Sequence, residues 1–150
     1  MIVQERGTEL DGETDDADAV RVGIVDDDQL LLAALGELLA DVPGFELAGA
    51  ASTVDAGVAL AAEGCVDVLV VDVRMPAGGG VLVATGAQLL APHTAVIALS
   101  ASKDEAAQAE MAAAGAVAYL VKDASIATLL HAIEEAARRF ARVGGAAPPC

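Results

Sequence analysis

The run "RVGIVDDDQLLLAAL" (21–35) ends an apolar stretch in three consecutive carboxylates, Asp26, Asp27 and Asp28, and continues at once as a leucine-rich helical pattern. Further on, "VLVVDVRMP" ends an apolar run in Asp72, "VIALSAS" ends one in Ser100, and "YLVKD" ends one in Lys122. Several carboxylates within a few ångströms of one another do not all ionise comfortably unless a cation shares the site. Oxygen ligands alone suit a hard cation, and Mg2+ takes a few carboxylates while keeping several waters. A carboxylate beside such an ion, an ammonium and a hydroxyl forms a site for receiving a phosphoryl group. Asp72 would be the nucleophile, and the cation and Lys122 would neutralise the incoming oxygens. Taken singly, each residue has a plainer use. A strand-end Asp is more often a helix cap, and Asp28, directly before the helical pattern, is expected to be one. A lone Ser100 would also be a cap, and a lone Lys122 a surface charge. The conjunction, in order along the chain, is what points to chemistry.

Elements that could bring these residues together are visible in the pattern. Short β-type runs, "VRVGIV" (20–25), "FELAGA" (45–50), "DVLVV" (67–71), "TAVIAL" (94–99) and "AVAYLV" (116–121), alternate with Ala/Leu-rich stretches at 29–40, 54–64, 80–91, 103–115 and 124–143. Gly and Pro punctuate between them at Pro43-Gly44, Gly64, Pro76 to Gly80, Pro92 and Gly115. Five β/α units in strict alternation predict an α/β fold, a five-stranded parallel sheet with helices on both faces. In such sheets ligands gather beyond the carboxyl ends of the strands. Those ends carry Asp26, Asp27, Asp72, Ser100 and Lys122, while the second strand delivers only Ser52 and Thr53, which suit capping. In the last stretch Ile126, Leu129, Leu130, Ile133 and Phe140 fall on one helical face. Leu30, Leu31 and Leu32 are consecutive, so they do not all face one core, and helix one is expected to expose at least one of them to solvent or a partner.

Composition narrows the class. The chain of 150 residues fits one domain, is 55% hydrophobic and only 2% aromatic, and so builds its core from Val, Leu, Ile and Ala. Formal net charge is −15. That makes the chain a poor candidate for nucleic-acid binding, which needs clustered Lys and Arg. Residues 1–19 hold seven acids against Arg6, a net −6 that leaves −9 for the remainder. They have no apolar period and are expected to be a disordered acidic leader. The domain is placed at 20–143, and "GGAAPPC" (144–150) is expected to be a linker or tail. No apolar run approaches the roughly 18 residues of a membrane span, and the N-terminus is not a secretory signal. Cys65 and the terminal Cys150 predict no structural disulfide, so a reduced, cytoplasmic setting is the default. His93 and His131 are expected in a loop and on a surface, and Met75 and Met111 in packing.

At "VDDD", "VVDVRMP", "ALSAS" and "AYLVKD" the sequence resembles a response-regulator receiver domain of two-component signalling, over about Arg21 to Val143. The resemblance implies a flavodoxin-like sheet of order 2-1-3-4-5. It implies Mg2+ or Mn2+ as cofactor, bound directly by Asp27, Asp72 and the backbone carbonyl of Arg74, and by Asp26 through water. It implies Asp72 as phosphoacceptor, Lys122 as partner of the phosphoryl group, and Ser100 and Tyr119 as switch residues. The donor would be a phosphohistidine on a sensor histidine kinase. Phosphorylation would repack the face made by helix four (103–115), strand five and helix five (124–143), biasing a two-state equilibrium. A homodimer would use helices one (29–40) and five. The closest subfamily carries a LuxR-type helix-turn-helix, and this chain ends where that domain would start. It is either part of a longer regulator or a stand-alone receiver.

Some features depart from the family pattern. Asp123 follows Lys122 where many receivers have Pro, which leaves the isomer of that peptide open. Arg74 is expected to shield or hold the phosphoryl group. "AGGG" (77–80) is expected to be a flexible loop, since no Gly-Lys-Ser/Thr follows to make it a phosphate cradle. Two other classes share these features less fully. A pseudo-receiver would keep the fold and serve only in protein contacts. An α/β phosphatase or hydrolase lacks a G-x-S-x-G elbow, a second base and a substrate domain here, so turnover of an external substrate is not expected.

Overall fold

The computed structural model describes residues 19–144; the acidic leader up to residue 18 and the tail from 145 lie outside them. The strands are β1 (Val20–Val25), β2 (Phe45–Ala51), β3 (Val68–Asp72), β4 (Ala95–Ser100) and β5 (Ala116–Val121). The helices are α1 (Gln29–Asp41), α2 (Val54–Ala62), α3 (Gly79–Leu90), α4 (Glu105–Ala113) and α5 (Ile126–Gly144). All pairings are parallel, in the order β2-β1-β3-β4-β5. The predicted α/β class and strand order both hold.

Each central strand is buried on both faces, and its period of two divides the core. Val22 and Ile24 of β1, Val68 and Val70 of β3, and Ala95, Ile97 and Leu99 of β4 pack with Leu32, Leu35 and Leu39 of α1 and Leu129, Ile133 and Ala136 of α5. The intervening Val25, Leu69, Val71, Val96 and Ala98 pack with Ala61 of α2, Val83, Ala84 and Ala87 of α3, and Met111 of α4. Small helix residues let the backbones approach the sheet without aromatic spacers. Met75 and Met111 are buried, as expected of packing residues.

Helix starts follow local chemistry. Asp28 caps α1, its Oδ1 accepting from Leu30 N–H (3.0 Å) and Leu31 N–H (3.2 Å). Thr53 caps α2 and Asp104 caps α4. Of the three leucines opening α1, Leu32 is buried, Leu31 is intermediate and Leu30 is 84% exposed. Ile126 departs from its expected core face: it opens α5 and is half exposed.

Two expectations are corrected. "AGGG" is not a loose loop. Pro76–Gly78 form a 3-10 turn, Ala77 and Gly78 are left-handed, and Gly79 and Gly80 are buried in the first turn of α3. A Cβ on Gly80 would stand 2.7 Å from the backbone oxygens of both Asp72 and Val73. Glycine is needed there because α3 starts against the end of β3. The second correction is Cys65, which is disulfide-bonded; its partner lies outside the described residues. No peptide bond among the described residues is cis, so Lys122–Asp123 is trans.

Candidate functional site

The strand phase that builds the two core layers also sorts the polar residues at the sheet's carboxyl end. Asp26 continues the phase of Val22 and Ile24. Asp72 continues that of Val68 and Val70, and Lys122 that of Ala118 and Leu120, all packed on the α1/α5 layer. Register does the rest. Val25 pairs with Val71, so Asp26 and Asp72 stand side by side one step further on. Ser100 and Tyr119 have the opposite phase, toward α3 and α4.

The outcome is a cluster. One carboxylate oxygen from each of Asp26, Asp27 and Asp72 lies within 4.8 Å of the others. Asp26 and Asp72 are buried and Asp27 is exposed, so the cluster is walled on one side and open on the other. Asp26 Oδ1 accepts from Asp28 N–H (2.8 Å), while Oδ2 faces Lys122 Nζ at 2.9 Å. Asp72 Oδ1 accepts from Arg74 N–H (3.1 Å) and lies 3.5 Å from Lys122 Nζ. Of the three predicted acids, Asp28 thus has the separate task of starting α1.

Electrostatics follow from this packing. Burial pushes the Asp72 carboxyl above its usual range; the Arg74 N–H and Lys122 pull it back, and Asp26 adds to the rise. Burial works against the charge on Lys122, but the carboxylates of Asp26 and Asp72 outweigh it and raise its pKa. One ammonium among three carboxylates leaves a negative site. The donor set fits a hard divalent cation: all oxygen, three side chains, and a spacing close to the ligand shell of one octahedral ion, about 4 Å across.

The two switch candidates lie apart from that cluster but next to each other. Ser100 is buried, and its hydroxyl donates to the Ser102 carbonyl at 3.0 Å. Tyr119 is partly buried, and its hydroxyl donates to the same carbonyl at 3.3 Å. The Arg74 side chain reaches Asp104, with Nη2 3.4 Å from Oδ2. Sequence reasoning missed that pair, and it missed the far end of the sheet. There the Asp67 carboxylate accepts from the Arg21 backbone N–H (2.8 Å), Nε (3.3 Å) and Nη2 (3.0 Å). An Arg next to a strand start and an Asp before another strand were the only signal. His131 is exposed and His93 partly buried. The only group of three or more His, Cys, Asp or Glu fit to hold a metal among the described residues is the aspartate cluster.

Comparison with known proteins identifies the family and the fold. A family model described as the response regulator receiver domain matches residues 22–134. The chain is 37% identical over 139 residues to the transcriptional regulatory protein PdtaR of Mycobacterium tuberculosis, covering 89% of this chain and 66% of that protein. It spans about half the length of further curated relatives. Among solved structures it superposes on a CheY-like response regulator receiver domain protein from Methanospirillum hungatei JF-1, with a TM-score of 0.76 and 25% identity over 83% of this chain and 98% of that one. The receiver domain of the NarL response regulator from Mycobacterium tuberculosis gives a TM-score of 0.75 and 27% identity over 81% and 98%.

Proposed function

Since the chain belongs to the response regulator receiver domain family, we propose that it is a phosphorylatable signalling switch with Asp72 as acceptor. One observation carries this: Asp26, Asp27 and Asp72 converge within 4.8 Å while Lys122 reaches both Asp26 and Asp72. The donor is a phosphohistidine on a sensor histidine kinase. An Asp72 oxygen attacks phosphorus, the P–N bond breaks, and the electron pair leaves on the histidine nitrogen. Lys122, held by Asp26, stands beside the acceptor and neutralises the phosphoryl oxygens.

Asp27, Asp72, the Arg74 carbonyl and, through water, Asp26 would hold Mg2+ or Mn2+. Bound there, the ion supplies further positive charge for the transferring group. Ser100 then turns toward the phosphoryl group, Tyr119 turns inward, and the α4-β5-α5 face repacks. The chain turns over no external substrate. It self-associates through α1 and α5, where Leu30 and Ile126 are exposed. No helix among the described residues is long and apolar enough to cross a membrane; the cytoplasm is proposed as the site of action on membership of the receiver family alone, since the Cys65 disulfide removes the argument from reduced thiols.

Intact mass after incubation with a small phosphodonor tests the proposal, with and without Mg2+, on wild type and Asp72→Asn. One added phosphoryl group that needs both Mg2+ and Asp72 is expected. No addition under any condition would favour a pseudo-receiver that serves only in protein contacts.

A further inference from the structure

Arg74 touches two places at once. Its backbone N–H donates to Asp72 Oδ1 at 3.1 Å, so its main chain is fixed on the acceptor carboxylate. Its guanidinium Nη2 lies 3.4 Å from Asp104 Oδ2, across the gap between the β3–α3 loop and the start of α4. Asp104 is also divided. Its Oδ1 caps α4, accepting from Ala106 N–H (3.0 Å) and Ala107 N–H (3.3 Å), and its Oδ2 faces Arg74. Two residues before Asp104 lies Ser102, whose carbonyl accepts from both Ser100 and Tyr119. One arginine therefore ties the acceptor loop to the segment that holds both switch hydroxyls.

The tie is weak enough to be exchanged. The side chains of Arg74 and Asp104 are 60% and 38% exposed, and ion pairs in such surroundings contribute little. A phosphoryl group on Asp72 would bring a charge of about −2 and three acceptor oxygens. Guanidinium binds such a group in a planar, two-pronged way that one oxygen of an already occupied carboxylate does not match. An arginine side chain anchored two residues from the acceptor is long enough to fold back over it.

We propose that Arg74 is a positioning residue that exchanges partners, held by Asp104 before phosphorylation and by the phosphoryl oxygens after it. This rests on Asp72 being the acceptor. The exchange has two consequences. It releases Asp104 and the start of α4, and it places the guanidinium in the path of water. Hydrolysis ends the phosphorylated state when a water oxygen attacks phosphorus, the P–O bond to Asp72 breaks with its electron pair kept by the carboxylate, and orthophosphate leaves. A guanidinium over the phosphorus slows that attack, and Asp104 competes for it.

The test is the lifetime of the phosphorylated protein in Mg2+ after removal of the phosphodonor, read by intact mass for wild type, Asp104→Asn, Arg74→Ala and the double variant. Asn keeps the capping oxygen and removes the charge. Asp104→Asn is expected to lengthen the half-life about two- to fivefold, the worth of an exposed ion pair. Arg74→Ala is expected to shorten it, and Asp104→Asn is expected to have no effect in the Arg74→Ala background. The lengthening is expected to shrink in 1 M salt, where the Debye length is about 3 Å. An Asp104→Asn half-life equal to wild type overturns the exchange, as does an effect that persists without Arg74. Failure of the wild type to take up a phosphoryl group would overturn the switch function and this inference together, whereas uptake with unchanged lifetimes overturns this inference alone.

Discussion

Ser100 and Tyr119, 19 residues apart in sequence, place their hydroxyls on a single acceptor, the carbonyl of Ser102, at 3.0 and 3.3 Å. A phosphoryl group on Asp72 that draws Ser100 away removes one of the two bonds that hold that carbonyl. Tyr119 is the only tyrosine of the chain, which has no tryptophan, so its fluorescence reports this spot alone. Phosphorylation of wild type is expected to change the tyrosine emission, and Ser100→Ala is expected to blunt the change. Equal changes in both proteins would show that the two hydroxyls move independently. Ser100→Ala is also expected to cost about 1 kcal/mol in urea unfolding, the worth of one buried hydrogen bond.

Lys122 neutralises a crowded group of acids at some expense in its own burial. Lys122→Met is expected to abolish phosphoryl uptake and to destabilise the protein by about 2 kcal/mol at pH 7. That is less than a fully buried pair would cost, because Lys122 is about a quarter exposed. Its pKa is raised above the ordinary 10.5. The stabilisation is therefore complete below 10.5 and is lost as pH rises through the higher folded value. Denaturant melts should show the gap between wild type and variant constant near neutrality and narrowing only in the alkaline range.

Asp72 has the opposite sign. Its folded pKa lies above the ordinary 3.8, so the folded state binds its proton more tightly than the unfolded state does. The resulting penalty is absent below 3.8, grows as pH rises toward the folded value, and is complete above it. Asp72→Asn is expected to raise Tm at pH 7 without divalent cation by roughly 4 °C, about 1 kcal/mol for a domain of this size. The gain should vanish toward pH 3.5 and diminish when Mg2+ is added to both proteins. A Tm equal to or below that of wild type at pH 7 would contradict the crowding of carboxylates.

Glycines at two positions separate backbone contact from open space. At Gly80 an added methyl meets backbone atoms of Asp72 and Val73 within 2.8 Å, which do not yield. Gly80→Ala is expected to cost about 2–3 kcal/mol and to impair uptake of the phosphoryl group through the shifted acceptor strand. In the middle of α1, a methyl on Gly36 meets only the tip of Leu47, at 3.3 Å. Gly36→Ala is expected to gain about 0.5 kcal/mol from helix propensity, less the small shift of that side chain. Thermal melts of the two variants should move in opposite directions.

Leu30 is 84% exposed at the start of α1, and Ile126 is 48% exposed at the start of α5. If these ends form the contact between copies, Leu30→Glu with Ile126→Glu should keep sedimentation monomeric at concentrations where phosphorylated wild type associates. Stability should change by about 0.5 kcal/mol or less, as for ordinary surface substitutions. Association unaffected by the pair would place the contact elsewhere.

Much of this molecule was written locally. Strand ends at Asp26, Asp72, Ser100 and Lys122 follow from apolar runs meeting polar residues, and the Asp28 cap follows from its position one residue before a helix. Both are decided within a turn or a few residues of chain, where period and capping act. Strict β/α alternation then restricts the sheet to parallel pairing, which sends all those strand ends to one edge. What sequence alone did not decide is which side chains meet across that edge. Lys122 on Asp26, the shared carbonyl of Ser102, and Arg74 on Asp104 join loops from different strands. Their spacing depends on sheet register and on how closely α3 starts against β3. The same limit explains "AGGG", whose glycines look like slack in one dimension and are contact points in three. A residue's own conformation depends on its neighbours in sequence, whereas its partner depends on where distant segments are packed, and only the tertiary structure sets that.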